Sequence, residues 1–393
     1  MTKGLDDVGF AGKRALVRVD FNVPLADGVI GDDTRIQAAL PTLKHILDEG
    51  GAVICASHLG RPGGEVVEEL RMAPIAERLQ ELLGESVAVK TCPEVVGDTA
   101  SAMVAELKSG EVLVLENLRF EAGETANDPA LAKTLASYAD VFVQDAFGTC
   151  HRAHASTTGV PAILKPAVAG RLVEKEVAAF EKALGNPVRP LVAIVGGAKV
   201  SDKIMLLENL LEKVDTILIG GGMAYTFLAA LNQGIGRSLV EEDKIATAKA
   251  VVEKAKAKGI DILLPVDHLA AKDFDPNTDV KVVSGDVPEQ RMGLDIGPVT
   301  REAYSAVVRN AGTVVWNGPM GVFEMDAFSH GTSELAKAVA ESSCISVVGG
   351  GDSVAAIKRN EVQDQITHIS TGGGAFLELL EGKELPGITA LQA

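Results

Sequence analysis

Five arginines stand in short polar motifs within the first 152 residues of the chain. The motifs are RVDFNVP, DDTRI, SHLGRP, ENLRF and CHRAHAS, which contain Arg18, Arg35, Arg61, Arg119 and Arg152. Guanidinium groups bind compact anions through charge-assisted hydrogen bonds. A single arginine of this kind is usually a surface or capping residue. Five of them, mostly beside strand-like runs, predict an anion site, because ligands of open α/β sheets bind at the carboxyl ends of strands.

The second half of the chain carries glycines where apolar runs end and helical patterns begin. Four segments have this arrangement: LVAIVGGAKVSDK, TILIGGGMAYTF, ISVVGGGDSVAA and HISTGGGAFLELL. Glycine turns at helix N-termini bring backbone N–H groups close to phosphate oxygens. We therefore expect a second anion site here. Two anion sites indicate an enzyme that moves a phosphoryl group between two phosphorylated ligands.

Two of these glycine segments also contain charged side chains. Lys199 and Lys203 are four residues apart, so a helix would place them on one face, where a bound anion would offset their mutual repulsion. Asp352 follows a run of three glycines and could hold Mg²⁺ together with phosphate oxygens. The alternatives are two solvated lysines, and a tight turn with an Asp N-cap. On the GGGDS segment alone, the two interpretations are evenly matched.

Other kinds of site fit the sequence less well. The P-loop consensus GxxxxGK[ST] and an HRD-type catalytic loop are missing. The glycine runs also lack GxGxxG spacing, which disfavours a nicotinamide-dependent dehydrogenase. Cys150, His151 and His154 could contribute zinc ligands, but a fourth ligand is not evident. Anion contacts are the preferred interpretation of that segment. Trp316 lies near a strand end, where packing beside a ligand and ordinary core packing both stay open.

Composition limits the class of protein. With 393 residues the chain suits two domains. Its net charge of −17 and pI of about 4.9 argue against nucleic acid and anionic membrane as partners, since both need a basic footprint. Four widely spaced cysteines predict free thiols in a reducing compartment. The sequence shows neither a signal-like apolar core nor an apolar run of membrane length, so we expect a cytoplasmic protein.

Strand-like and helix-like runs alternate along the whole chain. This order predicts an α/β fold of two Rossmann-like lobes, each a parallel sheet flanked by helices. In the second half, the predicted strands include the whole of DILLPVDHL. Between the lobes, RLVEKEVAAFEKAL has apolar residues at helical spacing, and Gly185-Asn186-Pro187 ends the pattern. We expect this segment to be a hinge helix that joins the two lobes.

Taken together and in order, these motifs resemble those of the phosphoglycerate kinase family from Arg18 to about Gly387. The resemblance implies reversible transfer of the acyl phosphate of 1,3-bisphosphoglycerate to ADP, which gives 3-phosphoglycerate and ATP in glycolysis and gluconeogenesis. It also implies a phosphoglycerate-binding domain (1–170), an interdomain helix (171–186) and a nucleotide-binding domain (187–372), with segment 373–393 returning to the first domain.

The resemblance further implies roles for individual residues. The catalytic residues would be Arg35, Lys199 and Lys203. Phosphoglycerate would be bound by Asp20, Asn22, Arg35, His58, Leu59, Gly60, Arg61, Arg119 and Arg152. The nucleotide would be bound by Lys199, Lys203, Gly221, Asn317, Pro319, Glu324, Gly350, Gly351, Asp352 and Ser353, with Mg²⁺ held by Asp352. Phe376 departs from the small residue that the family commonly has after TGGGA, and this change could alter hinge packing.

The implied chemistry is a direct in-line transfer. The carboxylate that leaves or attacks is already ionised, so neither a general acid nor a general base is needed, and positioning and charge neutralisation remain. Closure of the hinge would bring the two ligands together and exclude water. Each site looks complete within one chain, which predicts a monomer. A non-catalytic relative is the alternative, although it would be expected to have lost Arg35, Lys203 or Asp352.

Overall fold

The computed structural model describes residues 2–392, which form two compact units. The first unit extends to Val177 and takes in the segment from Glu384, and the second unit is Ala178–Lys383. Each unit contains a six-stranded parallel sheet with helices around it. The predicted α/β fold with two parallel-sheet lobes is confirmed. None of the helices within residues 2–392 is long and apolar enough to cross a membrane.

The sheet of the first unit has the strand order β5-β6-β4-β1-β7-β8, and an antiparallel pair, β2 and β3, lies apart from it. Residues of β4 and β7 are buried throughout, as are all but the first of β1, because helices cover both faces. The strands are β1 (Arg14–Val19), β2 (Leu25–Ala26), β3 (Val29–Ile30), β4 (Ala52–Ala56), β5 (Val89–Thr91), β6 (Val112–Val114), β7 (Val141–Asp145) and β8 (Ala167–Ala169).

The helices of this unit start with α1, whose first turn contains Thr34, Arg35 and Ile36 of the DDTRI motif. They are α1 (Thr34–Asp48), α2 (Ala73–Leu83), α3 (Asp98–Ala105), α4 (Ala122–Thr125), α5 (Pro129–Ala136), α6 (Val160–Ile163) and α7 (Arg171–Phe180). Helix α2 shows why such segments are helical: Ile75, Leu79 and Leu83 recur at a spacing of four and pack into the core.

The parallel sheet of the second unit has the order β11-β10-β9-β15-β16-β17, and β13-β12-β14 form a separate antiparallel sheet. The strands are β9 (Leu191–Val195), β10 (Thr216–Ile219), β11 (Asp261–Leu263), β12 (Asp267–Ala271), β13 (Val280–Ser284), β14 (Met292–Ile296), β15 (Thr313–Asn317), β16 (Ile345–Val348) and β17 (His368–Ile369). The helices are α8 (Ile204–Leu210), α9 (Met223–Ala230), α10 (Ile245–Lys258), α11 (Pro298–Arg309), α12 (His330–Glu341), α13 (Gly351–Arg359) and α14 (Gly373–Leu380).

The prediction of one strand over DILLPVDHL is wrong. Strand β11 pairs in parallel with β10, whereas β12 pairs antiparallel with β13 and β14. Pro265 lies between β11 and β12 and has no N–H to donate to a sheet. The N–H of Val266 donates to Thr300 Oγ1 at 3.0 Å. The chain therefore leaves one sheet and enters another within three residues.

Helix α7 and the C-terminal segment differ in extent from the expected boundaries. Helix α7 ends at Phe180 and a wider turn, Glu181–Gly185, follows it. Helix α14 lies in the second unit, where Asn209 Nδ2 donates to Leu380 O at 2.6 Å. The segment that returns to the first unit therefore begins at Glu384. It forms α15 (Pro386–Gln392), and Gly387 N donates to Cys150 O at 2.8 Å.

Candidate active site

Four of the five motif arginines lie close together in the first unit. Arg119 is in the short helical turn after β6, Arg61 follows β4, Arg152 follows β7, and Arg18 is within β1. Burial, followed by the positive charges of Arg152 and Arg18, lowers the pKa of the Arg119 guanidinium. The charge of Arg61 acts in the same direction. These strands are neighbours in the sheet, so their carboxyl ends gather the four cations, which together with Arg35 are called the arginine cluster below.

Arg35 is held at the first turn of α1 by two of the predicted site residues. Its Nη1 lies 3.2 Å from Asp20 Oδ2 and donates to Asn22 O at 3.0 Å. The Arg35 side chain is 39 % exposed, whereas that of Asp20 is 10 % exposed. Asn22 Oδ1 accepts from Gly60 N at 2.9 Å. The structure therefore connects the RVDFNVP, DDTRI and SHLGRP motifs by direct hydrogen bonds.

The SHLGRP loop is fixed by Asn117, which was not among the predicted site residues. Asn117 Oδ1 accepts from Leu59 N at 3.1 Å, and its Nδ2 donates to Leu59 O at 2.7 Å. Arg119 Nη1 donates to Gly60 O at 2.6 Å. Asn117 and Arg119 both come from the ENLRF motif, so that motif holds the loop that carries Arg61. The only sequence signal for Asn117 was its place beside Arg119.

A buried polar network lies behind the arginine cluster. Glu124 accepts from Ser156 through both carboxylate oxygens, at 2.6 Å from Oγ and 3.0 Å from the backbone N. Ser156 Oγ in turn accepts from Arg18 Nε at 2.8 Å. Glu124 is fully buried and Arg18 is 1 % exposed. Glu124 thus supplies the negative charge that the buried Arg18 needs. Neither it nor Ser156 was predicted, since only the tertiary fold brings them to β1.

The two buried histidines of this site are neutral. Burial, followed by the charge of Arg18, lowers the pKa of His58 well below its usual range. Burial and the charges of Arg18 and Arg119 lower the pKa of His154 to about 4. Arg18 Nη2 lies 3.3 Å from His58 Nδ1. A guanidinium can only donate, so Nδ1 is the acceptor and the ring proton of His58 is on Nε2.

In the second unit, backbone from several strand ends converges. These segments are called the glycine turns below and comprise residues 196–197, 220–222, 318 and 349–351. A Cβ on Gly221 would lie 2.6 Å from Gly197 O and 2.9 Å from Pro319 O. A Cβ on Gly318, whose φ is +99°, would overlap the Gly196 carbonyl. Glycine is required at these positions because the neighbouring backbones leave no space for a side chain.

Asn317 connects the glycine turns to the predicted lysine. Lys203 Nζ donates to Asn317 Oδ1, while Asn317 Nδ2 donates to Gly349 O at 2.9 Å. Ser353 is fully buried, and its Oγ accepts from Gly318 N at 2.7 Å. Gly350 precedes the N-terminus of α13, and Asp352 lies exposed in its first turn.

The predicted pairing of the two lysines on one helical face is wrong. Gly197 has a φ of +125°, and the chain turns until α8 begins at Ile204, directly after Lys203. Lys199 therefore lies exposed in the turn. Burial lowers the pKa of Lys203, and the negative charge of Asp352 is among those that oppose this shift.

Glu324 and Trp316 lie in different environments. Glu324 is exposed between β15 and the turn Asp326–Phe328. Arg359 of α13 donates to Phe323 O and to Asp326, and so holds the segment that carries Glu324. Trp316 is fully buried in the core of the second unit, which settles its role in favour of packing. Among residues 2–392, no three His, Cys, Asp or Glu side chains are grouped so as to bind a metal.

Comparison with known proteins identifies the family. The family model described as phosphoglycerate kinase matches residues 5–383. The chain belongs to the phosphoglycerate kinase family. Phosphoglycerate kinases are glycolytic enzymes, and the reaction of this member is transfer of a phosphoryl group between 1,3-bisphosphoglycerate and ADP.

Individual relatives are similar over almost their whole length. The phosphoglycerate kinase of Clostridium novyi is 55 % identical over 390 residues, which are 99 % of this chain and 98 % of that protein. The phosphoglycerate kinase of Chloroherpeton thalassium is 55 % identical, with coverage of 99 % and 98 %. The solved structure of phosphoglycerate kinase from Coxiella burnetii superposes with a TM-score of 0.92 at 43 % identity, with coverage of 100 % of this chain and 99 % of that one.

Proposed function

We propose that the arginine cluster of the first unit binds the phosphoglycerate substrate and that the glycine turns of the second unit bind the nucleotide. The arginine cluster is the observation that carries this assignment. It brings together at least four cations that repel one another, and the charges of Arg152, Arg18 and Arg61 lower the pKa of Arg119. The chain as a whole has a net charge of −17, so this concentration of positive charge is local. Such an arrangement is maintained where an anion offsets the repulsion.

In the first unit, Arg35 is proposed to act on the phosphoryl group that is transferred. Asp20 and Asn22 fix it through a single nitrogen, Nη1, at the start of α1. Arg61, Arg119 and Arg152 would bind the phosphate that is not transferred, and neutral His58 would donate a hydrogen bond to the substrate from Nε2. Leu59 and Gly60 would contribute through the loop that Asn117 holds.

In the second unit, Lys203 is proposed to contact the nucleotide phosphates. Its pKa is lowered by burial, yet Asn317 accepts a hydrogen bond from its ammonium group. Gly350, Gly351 and Ser353 would present the N-terminus of α13 to phosphate oxygens. Gly221, Pro319 and Glu324 would line the remainder of the nucleotide site, and Lys199 would reach it from the turn before α8.

The residues fit a magnesium ion that is bound mainly by the nucleotide. Mg²⁺ in such sites takes one or two carboxylates and fills its other positions with phosphate oxygens and water. Asp352 supplies one exposed carboxylate beside the Gly349–Gly351 backbone. The ion would neutralise phosphate charge there. Asp352 would hold it, while Lys203 and the backbone N–H groups of α13 orient the phosphates.

The transfer itself is proposed to be direct and in line. The oxygen that attacks or leaves on the phosphoglycerate side is a carboxylate oxygen, so no side chain has to move a proton. What the residues supply is orientation and positive charge. Because the two ligands are assigned to different units, closure of one unit towards the other would have to accompany each turnover. We also propose a cytoplasmic monomer, in which all four cysteines are buried free thiols.

The reaction can be tested by trapping its acyl phosphate product. Purified protein is mixed with MgATP and 3-phosphoglycerate, and hydroxylamine converts the acyl phosphate to a hydroxamate. Hydroxamate should form only with both substrates, and Arg35→Ala should reduce its rate by about 10³-fold, as loss of an arginine that stabilises the transferring group does.

Arg14→Ala is the control for that experiment. Arg14 is the first residue of β1, at the opposite end of the strand from Asp20. Its activity should match that of the parent protein. A loss below tenfold in Arg35→Ala would reduce Arg35 to a binding role. If both substrates bind by calorimetry but no hydroxamate forms, the chain is a non-catalytic relative.

A further inference from the structure

Phe376 packs its ring directly onto one of the glycine turns. It lies in α14 and is 2 % exposed. A Cβ built on Gly349 would overlap this ring and would lie 2.6 Å from its Cγ. The three atoms nearest to that position all belong to Phe376. The φ of Gly349 is outside the left-handed region, so the ring, rather than the backbone conformation, is what excludes a larger residue there.

Gly349 occupies a central position in the proposed nucleotide site. Its N–H donates to Trp316 O at 3.0 Å, and its carbonyl accepts from Asn317 Nδ2 at 2.9 Å. The other end of that amide accepts from Lys203. Three residues after Gly349 stands Asp352. A shift of the Gly349 backbone would therefore move the lysine contact and the start of α13 together.

The C-terminal end of helix α14 contacts α8, the helix that follows Lys203 in the proposed nucleotide site. Leu380 O accepts from Asn209 Nδ2 at 2.6 Å, and Asn209 lies in α8. Helix α8 begins immediately after Lys203. One short helix thus packs against the Gly349 turn through Phe376 and against the Lys203 segment through α8.

We propose that Phe376 is a positioning residue for the nucleotide, whose ring fixes the Gly349 backbone and through it the Asn317 amide and the start of α13. The inference rests on the proposed assignment of the nucleotide to the second unit. Phe376 would not touch the ligand itself and would act on it only through the Gly349 turn that it supports.

A double-mutant cycle tests the contact. Gly349→Ala should raise the KM for MgATP by about 10²-fold, because the added methyl group displaces the turn against the ring. Phe376→Ala should raise it by about tenfold, because the turn loses its support. The double variant should return close to the value of Phe376→Ala alone, since the methyl group then has space. Penalties that simply multiply in the double variant would overturn the proposal.

Two further variants separate positioning from general packing. Phe376→Leu keeps an apolar side chain over Gly349 and should restore the KM for MgATP to within about threefold of the parent. Leu335→Ala removes a fully buried side chain from the core of the second unit and should lower Tm without changing that KM. The KM for 3-phosphoglycerate should stay constant in all variants. Equal effects of Phe376→Ala and Leu335→Ala on the KM for MgATP would overturn the proposal.

Calorimetry with MgATP distinguishes this inference from the assignment on which it rests. Asp352→Ala should weaken MgATP binding if the nucleotide site is where we propose. If it does so while Phe376→Ala binds MgATP as the parent does, only the role of Phe376 is wrong. If Asp352→Ala leaves binding unchanged, the nucleotide assignment and the role of Phe376 both fail.

Discussion

The arginine cluster and the glycine turns present positive charge in different ways. The arginine cluster uses side chains, and these need buried partners such as Glu124, Ser156 and Asn117 to hold them. The glycine turns use backbone, and there the positions of the groups depend on the lack of side chains at Gly318 and Gly221. The first region should therefore be sensitive to lost polar groups, and the second to added atoms.

Because of this contrast, we expect the two regions to tolerate substitutions differently. A long arginine side chain can adjust when a neighbour changes, but a carbonyl oxygen at van der Waals distance from the next backbone cannot. Within the first unit, conservative changes that keep a hydrogen bond should be tolerated. At the tightly packed glycines of the second unit, such as Gly318 and Gly221, even one methyl group should disrupt the arrangement.

Apart from Arg35→Ala, the largest effect is expected for Gly318→Ala. The new Cβ would overlap the Gly196 carbonyl, and the φ of +99° is unfavourable for alanine. We expect kcat/KM for MgATP to fall by about 10²-fold or more, with the KM for 3-phosphoglycerate unchanged. Steady-state kinetics with each substrate varied in turn measures both values.

Gly9→Ala is the matched control for Gly318→Ala. A Cβ on Gly9 would meet no atom within 4 Å, and this residue has no left-handed φ. It should keep the activity of the parent. If Gly318→Ala were as active as Gly9→Ala, the close approach of the Gly196 and Gly318 backbones would not matter for nucleotide use.

A smaller effect is expected for Ser156→Ala in the first unit. This change leaves Arg18 Nε and Glu124 Oε1 without a hydrogen bond that each now makes, at a cost of about 1–3 kcal/mol. The KM for 3-phosphoglycerate should rise by about tenfold, while the KM for MgATP stays constant.

Ser156→Thr keeps the hydroxyl group and should recover most of the substrate affinity. Ser305→Ala removes a hydroxyl of similar burial in α11 and controls for loss of stability. An unchanged KM for 3-phosphoglycerate in Ser156→Ala would show that the Arg18 network does not position the substrate.

The smallest effect on activity is expected at one buried aspartate in each unit, whose ionisation acts on stability instead. Burial raises the pKa of Asp145 to about 8 and that of Asp295 to about 7. Between pH 4 and these values, the folded protein holds a proton that the unfolded chain releases. The free energy of unfolding should therefore fall with rising pH, by up to about 1.4 kcal/mol per pH unit for each group.

Asn variants isolate these contributions. Asp145→Asn should flatten the pH dependence between about pH 4 and 8, and Asp295→Asn between about pH 4 and 7. Urea titrations at several pH values measure the slopes. Parallel pH curves for parent and variant would mean that the aspartate ionises in the folded protein as it does in the unfolded chain.

Sequence patterns predicted the parts of the molecule that depend on local order. Apolar runs such as LVAIV and TILI are strands, and the glycines that follow them lie where the sheet places ligands. The pattern failed at DILLPVDHL, because strand-like composition on both sides of Pro265 does not reveal a change of sheet. It failed at Lys199 because the turn made by Gly197 delays the start of α8 until Ile204.

Sequence patterns could not identify hydrogen-bond partners that are far apart in the sequence. Ser156 meets Arg18 across 138 positions, and Asn117 meets Leu59 across 58. Burial of an arginine and a glutamate is unusual for their residue types, so only the folded chain identifies Arg18 and Glu124 as a pair. Family resemblance supplied Asn317 and Pro319, whose contacts with Lys203 and Gly221 become visible only in three dimensions.

The return of α15 to the first unit sets an order for folding during synthesis. Residues of the second unit form one uninterrupted stretch, Ala178–Lys383, so all its parts are present once that stretch has left the ribosome. The first unit is translated earlier but lacks the helix that bonds to Cys150 until Pro386–Gln392 have been made. The half of the protein that is translated first is therefore completed last.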